Sequence, residues 1–268
     1  MVADIGIIGG TGFYSFLSGA REVAAVTPFG APSAPVTIGE VAGREVAFLP
    51  RHGRRHEFPP HKVNYRANLW ALRSVGVRQV IAPCAVGSLR AELLPGTFVV
   101  PDQVIDRTWG REHTCYDAGG KVVHVGFADP YCARGRAAAA AAAPDATDGG
   151  TLVVINGPRF SSKAESRWHA AAGGSVVGMT GMPEASIARE LAMCFTTICM
   201  VTDHDAGVDT GEAVSHAAVL EVFEQNIERL KALLASVIAG LPAPEPDATA
   251  SCSCRRSLDG QTLPFALP

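Results

Sequence analysis

An α/β fold of one domain, with a central mixed β-sheet flanked by helices, is what this sequence predicts. Three observations carry that expectation. Short apolar, β-branched runs alternate with segments of helical spacing from residue 4 to residue 239. The chain has 268 residues, enough for one sizeable core, and is 47% hydrophobic and 18% charged, which argues against disorder for most of it. The first apolar run ends in a glycine-rich turn, Gly9-Gly10-Thr11-Gly12.

The elements follow in order. Residues 4–8 read as a buried opening strand. Val36–Ile38 and Glu45–Leu49 form a hairpin around a turn at Glu40–Gly43. Asn64–Val75 is helical, with Ala67, Trp70, Ala71 and Val75 on one face. Gln79–Ala82, Thr97–Val100 and Thr151–Ile155 are strands. Seven consecutive alanines, Ala137–Ala143, predict a surface helix that stops at Pro144. Ser162–Ala171 and Pro183–Leu191 are helices, Pro183 suiting a first turn because it has no N–H to lose there. Cys194–Val201 is an apolar strand, and Ser215–Ala239 a long amphipathic helix with Val219, Val222, Phe223, Ile227, Leu230 and Leu234 on one face. Residues 1–241 make one domain. Residues 242–268 read as a linker and an apolar tail that packs on the body or on a neighbouring subunit.

Composition narrows the function. A net charge of −3 gives no basic stripe for nucleic acid. No apolar stretch reaches the ~18 residues of a membrane span, and the first residues lack the pattern of a signal peptide. Seven scattered cysteines, an odd number, suit a reduced, cytoplasmic protein better than a disulfide framework. Cys252-Ser253-Cys254 is too closely spaced for a usual structural zinc pair, so no metal is expected.

Several segments carry chemistry. Gly9-Gly10-Thr11-Gly12 would let an anion approach the backbone, though it would equally make an ordinary turn. Arg51 offers a fork of donors suited to phosphate, and His52 beside it can donate a further hydrogen bond; a solvated basic loop is the plainer alternative. The small residues of Ala85-Val86-Gly87-Ser88 allow close approach of a ligand. Phe160 could stack on a flat base or fill a core. Thr202-Asp203-His204-Asp205 sets two carboxylates at i and i+2, on one side of an extended segment. Such a pair suits proton donation to a leaving group better than metal binding, for want of a third ligand.

Taken together and in this order, these segments resemble the trimeric purine nucleoside phosphorylase family, and most its 5′-methylthioadenosine phosphorylase branch. The likeness runs from about Ile5 to about Leu241, through Gly6–Gly12, Thr27–Gly30, Arg51–Gly53, Lys62–Leu72, Gly157–Ser166 and Met179–Glu184. It implies a phosphorylase/hydrolase-like fold and a homotrimer. It also implies phosphate-dependent cleavage of the N-glycosidic bond of methylthioadenosine, with inorganic phosphate as co-substrate and no cofactor. It places Thr11, Arg51, His52, the Cys84–Ala85 backbone and Thr180 around phosphate. Phe160 falls against the base, Met179 under the ribose, and Asp203 and Asp205 at purine N7 and the 6-amino group. His124 falls where a residue is lent to the neighbouring subunit's 5′ pocket, which His216 and Val219 would line. Three positions depart from the branch. Cys84 stands for a threonine and Asn156 for an acid. His216 stands for a small apolar residue, where enzymes of 5′-hydroxyl nucleosides carry histidine. The alternatives are therefore a phosphorylase of adenosine-type, inosine-type or 5′-halogenated nucleosides, and a nucleoside-binding protein without turnover.

Overall fold

The computed structural model describes residues 3–10, 16–206, 208, 215–243 and 245–268. Thr11 and Gly12 lie outside them. The chain runs β1 (Ile5–Gly9), β2 (Ser18–Val23), β3 (Val36–Val41), β4 (Arg44–Pro50), α1 (Tyr65–Ser74), β5 (Gln79–Ser88), β6 (Phe98–Val100) and β7 (Gln103–Arg107). It continues through α2 (Ala133–Ala142), β8 (Thr147–Asp148), β9 (Thr151–Ile155), α3 (Lys163–Ala171), β10 (Val176–Gly178), α4 (Glu184–Glu190), β11 (Cys194–His204) and α5 (His216–Gly240).

The strands form one mixed sheet in the order β2-β3-β4-β1-β5-β10-β9-β7, with β11 branching from β5 and leading through β6 to β8. Side-chain alternation divides its two faces. Ile8, Ala47, Leu49, Val80 and Val201 point to the face covered by α1 and α4, among Leu69, Leu72, Ile187 and Ala188. Ile7, Val46, Phe48, Ile81 and Met200 point to the other, covered by α2 and α5 with Ala139, Leu230, Leu234 and Val237. Burial on both faces is why β1, β4 and β11 read as continuous apolar runs. The alanine helix packs closely: a Cβ on Gly135 would meet Thr196 Oγ1 at 2.0 Å, so α2 can sit directly on β11.

The predicted helices and hairpin are present, with two shifts at the site. The strand expected over 79–82 runs on to Ser88, and the one expected to end at Val201 runs on to His204. β2, β7 and β10 have no counterpart in the sequence reading. β2 is exposed along almost its whole length, so no alternation marks it. Asn64 caps α1 by accepting from Ala67 N–H. Ser162 and Glu165 make a reciprocal capping box on α3. Ser215 occupies the N-cap of α5 without a side-chain bond.

Candidate active site

A cavity opens where the central strand loses a neighbour. β11 pairs with one edge of β5 over its full length. The other edge carries β1 over Gln79–Ile81 and β10 at Gly87 and Ser88. Among the described residues no strand lies against 82–86. A cavity of about 380 Å³ is lined by residues 83–87 of β5, by Gly10, Arg51, His52, Phe160, Met179, Thr180, Asp203 and Asp205, and by His216 and Val219 of α5. Cys84 and Ala85 line it too. His124 does not: it is exposed, and its backbone bonds Gln261 in the C-terminal segment.

The cationic end lies at Pro83. Arg51 follows β4 directly, its N–H donating to Gly9 O at 2.9 Å. Its side chain is buried. Nε and Nη2 donate to the two oxygens of Glu184 at 2.5 and 3.1 Å, Nη2 also to Ile8 O at 2.8 Å, and Nη1 to Pro83 O at 3.3 Å. The sequence offered this fork to phosphate; the structure corrects how much of it is available, because four of the five guanidinium N–H groups are held by protein. Burial opposes the charge, but the Glu184 carboxylate outweighs it and keeps the Arg51 pKa above its ordinary value. Glu184 belongs to a segment the sequence singled out, yet nothing local marks it as the partner.

His52 needs a correction as well. Its Nδ1 lies 2.8 Å from Phe58 O, which can only accept. Burial and the neighbouring Arg51 push the ring's pKa down to about 4. A neutral ring that donates from Nδ1 has a lone pair at Nε2, so there it accepts rather than donates. His56 stacks on it at 4.5 Å between centroids.

Arg111 was invisible in the sequence, as a lone arginine in a loop. It donates to Met179 O and Asn156 O at 2.8 Å, to Met182 O at 2.5 Å and to the Tyr65 hydroxyl at 3.0 Å. It thereby ties α1 to the segments that carry Met179 and Phe160. Asn156 Oδ1 accepts from its Nε at 3.1 Å, so a neutral amide suffices where an acid was expected.

The acidic end lies at Gly87, four residues further along β5, or ~13 Å at the usual rise of a strand. A Cβ there would come within 3.0 Å of Asp203 Oδ1 and 3.2 Å of Asp205 Cβ, so glycine lets both acids close on the strand. Burial pushes the Asp203 carboxyl up to about 6; the Thr202 hydroxyl, donating at 2.8 Å, opposes this and Asp205 adds to it. Asp205 is buried, accepts from the Ser166 hydroxyl and is fixed by its own N–H on Ser88 O at 2.9 Å. Ser161, also lining the cavity, has a buried hydroxyl with no partner among the described residues. Ser166 and Ser161 lie within a stretch the sequence reading quoted, but no pattern separates them from ordinary helix-start serines.

A buried cation, a depressed histidine, an aromatic and two desolvated acids around one gap in a mixed sheet have the chemistry to hold an anion beside a flat polar heterocycle. The family model of the phosphorylase superfamily matches residues 4–239. The chain belongs to that family. It is 56% identical to a purine nucleoside phosphorylase of Streptomyces coelicolor, over 99% of this chain and 98% of that one. It is also 56% identical to an S-methyl-5′-thioadenosine phosphorylase of Mycolicibacterium smegmatis, over 98% and 99%. A methylthioadenosine phosphorylase from an antarctic soil metagenomic library superposes with a TM-score of 0.89 at 36% identity, covering 97% of this chain and 92% of that one.

Proposed function

We propose that the protein is a nucleoside phosphorylase that cleaves 5′-methylthioadenosine with inorganic phosphate, giving adenine and 5-methylthioribose 1-phosphate. The observation that carries this reading is the pairing of an anion-holding end with a protonatable acid across one cavity. Phosphate sits at the cationic end, against the Nη1–H of Arg51 that no described residue takes, the Thr180 hydroxyl and the backbone of Cys84–Ala85 in β5; Thr11 adds a hydroxyl. His52 Nε2 accepts from the O–H of hydrogen phosphate. Phe160 lies along the base and Met179 under the ribose.

The C–N bond loosens first and the ribose gains oxocarbenium character. Phosphate, fixed on the far face, supplies both nucleophile and nearby negative charge. The leaving purine takes a proton at N7 from Asp203, which burial keeps protonated further up the pH scale than a free aspartate. Asp205, held by Ser166, accepts from the 6-amino group; a carboxylate would repel a 6-oxo oxygen. No step calls on a metal or organic cofactor. We further propose a cytoplasmic homotrimer in which His124 reaches the neighbour's 5′ pocket. Its exposure, away from the cavity of its own chain, supports this, and light scattering that finds a fully active monomer overturns it. No helix of the described residues is long and apolar enough to cross a membrane.

Adenine released from methylthioadenosine in phosphate buffer, and none in phosphate-free buffer, is the expected result. Release without phosphate would make the protein a hydrolase; binding without release would make it a binder. One observation favours a second reading, phosphorolysis of 5′-hydroxyl nucleosides. The α5 wall of the cavity is Val219, Leu220 and Phe223, but His216 lines it as well, and an imidazole can bond a hydroxyl. If it does, His216→Val shifts the ratio of specificity constants from adenosine toward methylthioadenosine by about tenfold, the factor for ~1.4 kcal/mol. An unchanged ratio leaves methylthioadenosine the preferred substrate.

A further inference from the structure

The other end of β11 holds a cluster that the proposed reaction does not use. Cys194 opens that strand, Cys132 is the N-cap of α2, and Cys252 and Cys254 lie in a turn of the C-terminal segment. Their four sulfurs all fall within 4.8 Å of one another. Cys252 Sγ is 3.5 Å from that of Cys132 and 3.6 Å from that of Cys194. Cys132, Cys194 and Cys254 are buried, and Cys252 is half-buried. We propose that Cys132, Cys194, Cys252 and Cys254 form a structural metal site that takes one zinc ion per chain as a tetrahedral tetrathiolate.

Spacing favours zinc over disulfides. Four sulfurs around zinc at ~2.3 Å sit ~3.8 Å apart, close to the distances observed. A disulfide needs ~2.05 Å, and both of the short contacts share Cys252, so they cannot both become bonds. The surroundings suit thiolates. Arg189 Nη2 lies 3.7 Å from Cys254 Sγ while its guanidinium is anchored on Gly126 O and Asp129 O. A donating cation beside the sulfurs is what a dianionic zinc tetrathiolate gains from its outer shell. Cys252 and Cys254 alone are too closely spaced in sequence for a usual zinc pair. The fold supplies the other two ligands from residues 132 and 194, and the ion would pin the C-terminal segment to the starts of α2 and β11. On binding, the four thiol protons pass to solvent.

The test is metal analysis of the full chain, produced in zinc-supplemented medium and purified with reductant and without chelator. One zinc per chain is expected. After chelation, titration with Co(II) should give thiolate-to-cobalt charge transfer and the visible bands of a tetrahedral site, saturating at one equivalent. Cys252→Ser and Cys194→Ser should lose the zinc, and Cys115→Ser, outside the cluster, should keep it. Chelation of the wild type should lower its melting temperature. A reduced, folded wild type that contains no zinc and gives no cobalt spectrum overturns the proposal. So does an intact mass, taken without reductant, that lacks four hydrogens and so shows two disulfides.

Discussion

The two ends of the cavity treat charge in opposite ways. At Pro83, Arg51 is charged and buried, and its charge is balanced by Glu184 before any ligand arrives. At Gly87, Asp203 is half-buried and has no ion pair among the described residues, and the loss of water suppresses its charge instead. One end is a fixed ion pair that positions backbone for an anion; the other is a carboxyl kept close to the point of giving up its proton. A buried charge survives if paired and tends to neutralise if not, and this site uses both outcomes.

The largest effect is expected at the acidic end. Asp203→Asn keeps the shape and removes the transferable proton, so turnover of adenosine-type nucleosides should fall by ~10²–10⁴ with the phosphate KM nearly unchanged. Near-full turnover would mean that the purine is protonated from elsewhere. The wild-type rate should also decline as pH rises past about 6, where Asp203 ionises, a limb absent from the variant.

At the cationic end the expected damage is to the fold. Arg51→Ala leaves Glu184 buried and unpaired, so urea unfolding should show a loss of about 3–5 kcal/mol, beyond any rise in phosphate KM. Adding Glu184→Gln should restore part of it. Full stability in the single variant would show that the pair does not hold this end together.

A third effect comes from titration. Folding raises the Asp203 pKa from 3.8 to about 6, so between these values the native state holds a proton that the unfolded state has lost. That contribution to stability is present at low pH and is lost as pH rises through 6. Folding lowers the His52 pKa from 6.5 to about 4, so over nearly the same window the unfolded state holds the extra proton. That contribution is present above 6.5 and lost as pH falls through 4. The two slopes oppose each other in the wild type. Chemical denaturation from pH 4 to 6.5 should show stability rising with pH in Asp203→Asn and falling in His52→Phe, by on the order of 2–3 kcal/mol. Parallel curves for both variants would remove one of the two groups from the account. The smallest effect is expected at Thr180. Thr180→Val should raise the phosphate KM by about tenfold, the worth of one hydrogen bond to a charged group, and leave the methylthioadenosine KM within about twofold.

Much of the cavity was legible because its residues sit at the ends of apolar runs. Gly10 follows β1, Arg51 follows β4 and Asp203 stands near the end of β11, and each of these strands is marked by an apolar run. Strand β2 was not legible, since its exposed residues carry no period. Nor were Arg111 and Ser166 as members of the site: their partners are carbonyls and a carboxylate brought in from far along the chain.

The alternation of strands and helices, the helix that starts at Ser162, and the residue types that stand at the strand ends are written in the chain order alone. Those are short-range properties, fixed by periods of two and 3.6 residues and by local backbone chemistry. What those residues do depends on contacts made far along the chain. Glu184 reaches Arg51 across 133 positions, Phe58 O fixes which nitrogen of His52 carries the proton, and three separate segments bring four cysteines together. The rise in the Asp203 pKa comes from lost water, and how much water a side chain loses depends on everything packed around it.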